Sequence, residues 1–302
     1  MSIGKNSYLL SLVIKERETR RESIRRAWFR FKKNKPAVAG LVMLCGILVV
    51  ATLADYITPY PKHAGLYIDF ANRYKPPSLA HLLGTDMYGR DVFTRVIFGF
   101  RYALMTVATV LGVVVPVGTI LGLIAGYYKG TIIDHAIMGL AEVFVAVPPL
   151  VLALAICSVL EPNVFNALLA ITLMWWPWYT RMVYSMTSSL RNEPYVWAAK
   201  AVGVGTPSIL FRELLPNILG PILTKATLDA SWVIIIGASI SFVGLGAQPP
   251  TPDLGTMLSE YCRYLPDYWW MTLGPLLGIV ILVLSFNLVG DGLRDVIAGG
   301  QV

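Results

Sequence analysis

From residue 102 to residue 128 the chain runs without an Asp, Glu, Lys or Arg, and residues 268–290 do the same near the other end. An α-helix needs about 20 apolar residues to cross a bilayer. In lipid the backbone has no water to bond to, so a continuous apolar run of this length is restricted to a helix. A barrel would instead show segments of about ten residues alternating in polarity. Four more uncharged runs occupy residues 37–54, 143–160, 162–180 and 230–252. The first and third of the six are short, so flanking residues must complete them. The reading is an all-α integral membrane protein with six transmembrane helices. A composition of 56% hydrophobic and 14% charged residues, with a mean hydropathy of +0.62, agrees.

Orientation follows from the basic residues. With the N-terminus inside, 18 of the 25 Lys and Arg face the cytoplasm, 11 of them in residues 1–36. This bias predicts cytoplasmic N- and C-termini. It also accounts for the net charge of +7, so a nucleic-acid partner is excluded. The absence of an apolar segment with a small-residue cleavage site before residue 37 leads to the expectation that the first span acts as an uncleaved anchor. The chain divides into a basic amphipathic segment (1–36), the first helix with a long external loop (37–101), a five-helix core (102–291) and a cytoplasmic tail (292–302).

Within residues 8–35, Ile24, Ala27, Trp28 and Phe31 are spaced as one face of a helix lying on the inner membrane surface. In the external loop, Val92, Phe93, Val96, Ile97 and Phe100 recur at helical spacing opposite Arg90, Thr94 and Arg101. This predicts an interfacial helix leading into the second span. In that span Gly118, Gly122 and Gly126 form a stripe where another helix backbone can approach closely. Pro148 and Pro149 interrupt the third span, either to line a pathway or to fit neighbours. Trp175, Trp176 and Trp178, and Tyr268, Trp269 and Trp270, are read as membrane-interface anchors. Cys45, Cys157 and Cys262, and His63, His81 and His135, are scattered along the sequence, so no metal site is expected.

The longest internal loop falls in residues 188–217. Pro194 suits the first position of a short helix, Ala198, Ala199, Lys200 and Ala201 favour its continuation, and Gly203 and Gly205 supply a stop. Thr206 is expected to cap a second short helix starting at Pro207 and closed by Pro216. Tyr195, Trp197, Ala198 and Val202 give the first helix a compact surface suited to a groove on another protein.

The spacing of Ala198, Ala199 and Gly203 with the later Leu215-Pro216 resembles the EAA loop of ABC-transporter permeases. Trp197 stands where that family carries Glu. The segments "GTDMYGRDVFTR" (84–95), "GLGAQPPTPDLGTML" (244–258) and "FNLVGDGLRD" (286–295) resemble signatures of the dipeptide, oligopeptide and nickel class, in particular its second permease subunit. The resemblance implies the type I ABC importer permease fold and a coupling helix docked in a cytoplasmic ATPase. Tyr195, Trp197, Ala198, Ala199, Gly203 and Gly205 would form the docking surface, with Leu215 and Pro216 holding the loop's exit. It further implies a homologous second permease, two ATPase subunits carrying ATP and Mg, and an external or periplasmic solute-binding protein. No cofactor is expected on this chain, and no Walker A, HExxH or GxSxG motif occurs in it.

Two other classes compete. An ion-coupled secondary transporter needs ionisable groups at mid-membrane, whereas Asp134, Glu142, Lys225 and Asp229 are all expected near cytoplasmic ends. An intramembrane aspartic protease would need a partner for Asp291, and Asp229 is the only candidate.

Overall fold

A computed structural model describes residue 22 and residues 25–298. Residues 1–21, 23, 24 and 299–302 lie outside the described residues, and with them most of the expected surface helix and the end of the tail. What is described of the basic segment is helical over residues 25–33, with Phe31 buried and Trp28 exposed. The elements that follow are α1 (Lys35–Thr52), α2 (Ala54–Ile57), α3 (Val92–Tyr127), α4 (Ile132–Val145), α5 (Pro149–Val159) and α6 (Val164–Leu190). Next come α7 (Pro194–Ala201), α8 (Thr206–Ser208), a π-helical turn (Ile209–Leu214), α9 (Leu215–Phe242), α10 (Leu254–Cys262) and α11 (Trp269–Ala298).

α3 and α6 form the centre. A β-carbon added at Gly118 would lie 2.5 Å from Tyr179 Cβ, at Gly122 2.6 Å from Val183 Cβ, and at Gly126 2.7 Å from Thr187 Cβ. The glycine stripe of α3 therefore lies directly on α6, where missing side chains allow backbone approach. Residue numbers rise together along this contact, so the two helices run parallel. The chain between them must return, and it does so through α4 and α5.

That return is sharply broken, because α4 and α5 meet at 87°. Residues 143–160 are thus not one continuous span. Pro149 starts α5, where its missing N–H costs nothing, and it holds Pro148 in an extended conformation (φ −53°, ψ 132°) that no helix can pass through.

Two further boundaries differ from expectation. Residues 92–101 are the first turns of a single 36-residue α3, not a separate interfacial helix. Thr94 and Arg95 there are fully buried. The fifth apolar helix is displaced from residues 230–252: α8, the π turn and α9 form one element from Thr206 to Phe242. Gly244, at φ +89°, lies just beyond its end. Lys225 and Asp229 consequently fall near the middle of this element, and a cavity that they line also reaches Arg294 and Ile297 towards the end of α11.

α1, α3, the Thr206–Phe242 element and α11 are each long and apolar enough to cross a membrane, and the bent pair of α4 and α5 makes a fifth. α6 has the length, 27 residues, but carries Asn, Thr, Tyr and three Trp. α1 and α11 are antiparallel, Gly40 against Leu288 and Gly292 against Ala37, and α9 packs antiparallel on α11, Gly290 against Leu228. These pairings gather the start of α1, the ends of α3, α6 and α11, and the loop 191–214 at one end of the bundle.

Candidate functional site

The loop between α6 and α9 is built from local chemistry. Pro194 opens α7 and Gly203, at φ +80°, closes it. The Gly203 N–H donates to the Lys200 carbonyl and the Val204 N–H to the Ala199 carbonyl, both at 3.0 Å, a Schellman closure that satisfies the last carbonyls. Gly205 instead has an ordinary φ of −65° and occupies the cap position before α8; Thr206 is already inside that helix and makes no side-chain cap. The sequence expectation of a second helix closed by Pro216 is also corrected. Pro216 lies in the first turn of α9, directly after the π turn, where the Leu215 N–H reaches back to the Leu210 carbonyl.

On α7, Tyr195, Trp197 and Ala198 are exposed, Ala199 is half-buried, and Gly203 and Gly205 are exposed beyond its end. Leu215 is half-buried and Pro216 exposed, one helical element further on. The residue that sequence reasoning missed is Val196, fully buried and the anchor of α7 in the bundle. Arg191 was missed as well: its guanidinium donates to the carbonyls of Tyr127 (3.1 Å) and Lys129 (3.2 Å), tying the loop's entry to the end of α3. The Lys200 ammonium sits over the rings of Tyr127 (4.8 Å) and Trp197 (5.1 Å).

A second constellation lies between α6 and α9. The Lys225 ammonium is 3.0 Å from the Asp229 carboxylate, one helical turn away. Trp175 donates its Nε1–H to the same carboxylate at 3.1 Å, and the ammonium also sits 5.2 Å from the centre of the Tyr179 ring. Trp175 is therefore buried beside a charged pair, which corrects its reading as an interface anchor.

Residues 118–300, more than half of the chain, match the family model described as the binding-protein-dependent transport system inner membrane component. The chain belongs to this permease family. Residues 23–77 match the N-terminal TM domain of oligopeptide transport permease C. The chain is similar to the dipeptide transport system permease protein DppC of Alkalihalophilus pseudofirmus, 40% identical over 271 residues, which cover 90% of this chain and 88% of that protein. It is 39% identical to the protein of the same name from Haemophilus influenzae over 272 residues, 89% of this chain and 92% of the other. For the one from Escherichia coli K12 the figures are 40% over 274 residues, 89% and 90%. Among solved structures, the inward-facing MetNI methionine ABC transporter is similar in fold, with a TM-score of 0.51 at 22% identity, over 68% of this chain and 95% of that one. The protein is thus a multi-pass ABC-transporter permease of the cell membrane.

At the end of the permease opposite α7, the "GTDMYGRD" segment folds around one carboxylate. Asp86 accepts the N–H groups of Tyr88 (2.8 Å) and Arg90 (2.9 Å), the Arg90 Nε–H (2.7 Å) and the Tyr261 hydroxyl (3.2 Å). Arg95 lies 3.8 Å away. Gly84 and Gly89, at φ +70° and +78°, make the tight turns that bring these groups together. A β-carbon at Gly89 would collide with the Asp69 carbonyl. Asp91 caps α3 through the Thr94 N–H (2.8 Å), accepts from His81 (2.8 Å), and gives its own N–H to His63 Nδ1 (2.9 Å). Two histidines far apart in sequence thus converge on one residue. Burial raises the pKa of the nearby Glu260, with Arg90 and Arg95 opposing. Among the described residues no cluster of metal-ligating side chains occurs.

Proposed function

We propose that this chain is the permease half of a dipeptide importer, crossing the membrane six times with both termini in the cytoplasm and driven through α7 by a separate ATPase. The DppC relatives support the solute class. α6 is taken as the sixth crossing, because it runs parallel to α3 and is long enough to traverse the bilayer. The observation that carries the coupling role is the contrast on α7 between exposed Tyr195, Trp197 and Ala198 and fully buried Val196. One face is free for a protein cleft, and the other is fixed to the bundle. The loop's exit continues without a break into the helix carrying Lys225, so a displacement of α7 reaches the middle of the bundle as a rigid-body movement.

A homologous permease, two ATPase subunits holding ATP and Mg, and an external or periplasmic binding protein complete the machine. Membership in the binding-protein-dependent family speaks against the ion-coupled alternative, and this chain needs no enzymatic activity of its own. Substituting Ala198→Glu places a charge at the centre of the exposed face without touching Val196. It is expected to abolish co-purification of the ATPase subunits while the permease still inserts in the membrane; undiminished co-purification would refute the docking role.

A further inference from the structure

We infer that Lys225 and Asp229 are the substrate-gripping pair of the translocation pathway, the ammonium binding a peptide's carboxylate terminus and the carboxylate its ammonium terminus. This rests on the dipeptide-import reading and assigns residues to it.

Ionisable side chains inside a membrane bundle are costly, and a buried ion pair is frequently no more stabilising than apolar residues of similar size. This pair is not fully enclosed. The Lys225 side chain is 26% exposed against 9% for Asp229. Both border an open cavity lined by Pro148, Pro149, Trp178 and Trp232, and a second one that reaches Arg294. Trp178 and Trp232 are 40% and 57% exposed, so aromatic walls face the opening.

Each charge also has a support that does not depend on the other. Trp175 donates to Asp229, and the Tyr179 ring lies under the Lys225 ammonium. When the pair opens, neither group is stranded. A zwitterion entering between them replaces one intramolecular ion pair by two intermolecular ones, so no net charge is added to the bundle and the desolvation already incurred is reused.

The two charged groups lie 3.0 Å apart, so a guest engages them only by opening this pair, each of its termini then meeting one group. The broken junction of α4 and α5 provides the facing wall: Pro148 and Pro149 hold it open where a continuous helix would fill the space.

The test uses the whole complex in proteoliposomes, with the binding protein loaded with a labelled dipeptide. The double variant Lys225→Met, Asp229→Leu removes both charges at once, so no unpaired charge is left. The expected result is unchanged assembly with dipeptide import reduced about a hundredfold or more, the size of two lost charge-assisted contacts. Undiminished import by this variant would overturn the inference alone, whereas failure of the wild-type complex to import any dipeptide would overturn the functional reading beneath it. Should the double variant not assemble, a photo-leucine dipeptide is cross-linked in the wild-type complex during turnover. Adducts on Trp178 or Trp232 are expected, and their absence would sink the assignment.

Discussion

Gly122 of α3 and Val183 of α6 are packed so closely that a methyl group on the glycine would stand 2.6 Å from Val183 Cβ and 2.6 Å from the Thr180 carbonyl. The second neighbour is backbone, so relief requires the two central helices to separate. Gly122→Ala is expected to destabilise the permease by about 1–3 kcal/mol. Gly112→Ala, in the same helix but with nothing within 4 Å of the added carbon, is the control. It should be neutral or slightly stabilising, since alanine is the better helix former. Thermal unfolding of the purified complex reads both, and equal effects would contradict close packing as the cause.

The Asp86 carboxylate faces two buried arginines, so its loss is not a simple deletion. Asp86→Asn leaves Arg90 and Arg95 enclosed without their nearest counter-charge, and breaking a buried pair in this way costs about 3–5 kcal/mol. Tyr261→Phe removes only one neutral donor to the same carboxylate and should cost about 1 kcal/mol. The order of the two effects, read by denaturation or protease resistance of residues 60–95, is the test. A larger loss from Tyr261→Phe, which keeps the ring, would mean that the hydroxyl, not the carboxylate, organises this cap.

Acid should loosen the same end. His63 Nδ1 accepts the Asp91 N–H at 2.9 Å, so the ring carries its hydrogen on Nε2 and protonation would end that bond. Burial lowers the His63 pKa from its ordinary value, with the Asp91 carboxylate opposing. The unfolded chain then binds more protons than the folded one in this range, and stability rises with pH. The contribution is complete above the unfolded value of about 6.5 and is lost as the pH falls through the folded value. His63→Gln, which keeps an acceptor but does not titrate, should flatten the melting temperature between about pH 5 and 7. An equally steep slope in the variant would assign the acid sensitivity elsewhere.

What the sequence reveals of this permease depends on how local the cause is. α7 is legible because its start and stop are single residues acting on their own backbone, Pro194 and Gly203. The glycine stripe is legible because an absence of side chains at every fourth position has few uses in a membrane helix. That Lys225 and Asp229 fall inside one continuous element, Thr206–Phe242, is hidden, since charges were used to end a span. The passage of the helix through Pro216 is hidden for a related reason: tolerance depends on a π turn that no residue type announces. Arg90 reads as a solvent residue although its partner Asp86 is only four residues away, because what closes over that pair is Tyr261 of α10, donating to the same carboxylate from far along the chain. Contacts of that kind exist only after folding.

Gly203 and Gly205 look equivalent in the sequence, and the structure separates them. Gly203 sits at φ +80°, a left-handed conformation that costs an L-residue about 1–2 kcal/mol, whereas Gly205 at φ −65° is open to any residue. Neither is crowded: nothing lies within 4 Å of a carbon added at Gly203, and Gly205 would meet only Pro207 at 4.0 Å. Any difference between Gly203→Ala and Gly205→Ala is therefore conformational. The first should fray the end of α7, weakening the Gly203 and Val204 hydrogen bonds and shifting Lys200 from the Tyr127 ring. Hydrogen exchange across residues 194–204 should rise for Gly203→Ala alone, and ATPase binding should weaken in step if the docking face needs a firm helix end. Matching exchange rates in the two variants would show that the closure of α7 does not rest on the backbone of residue 203.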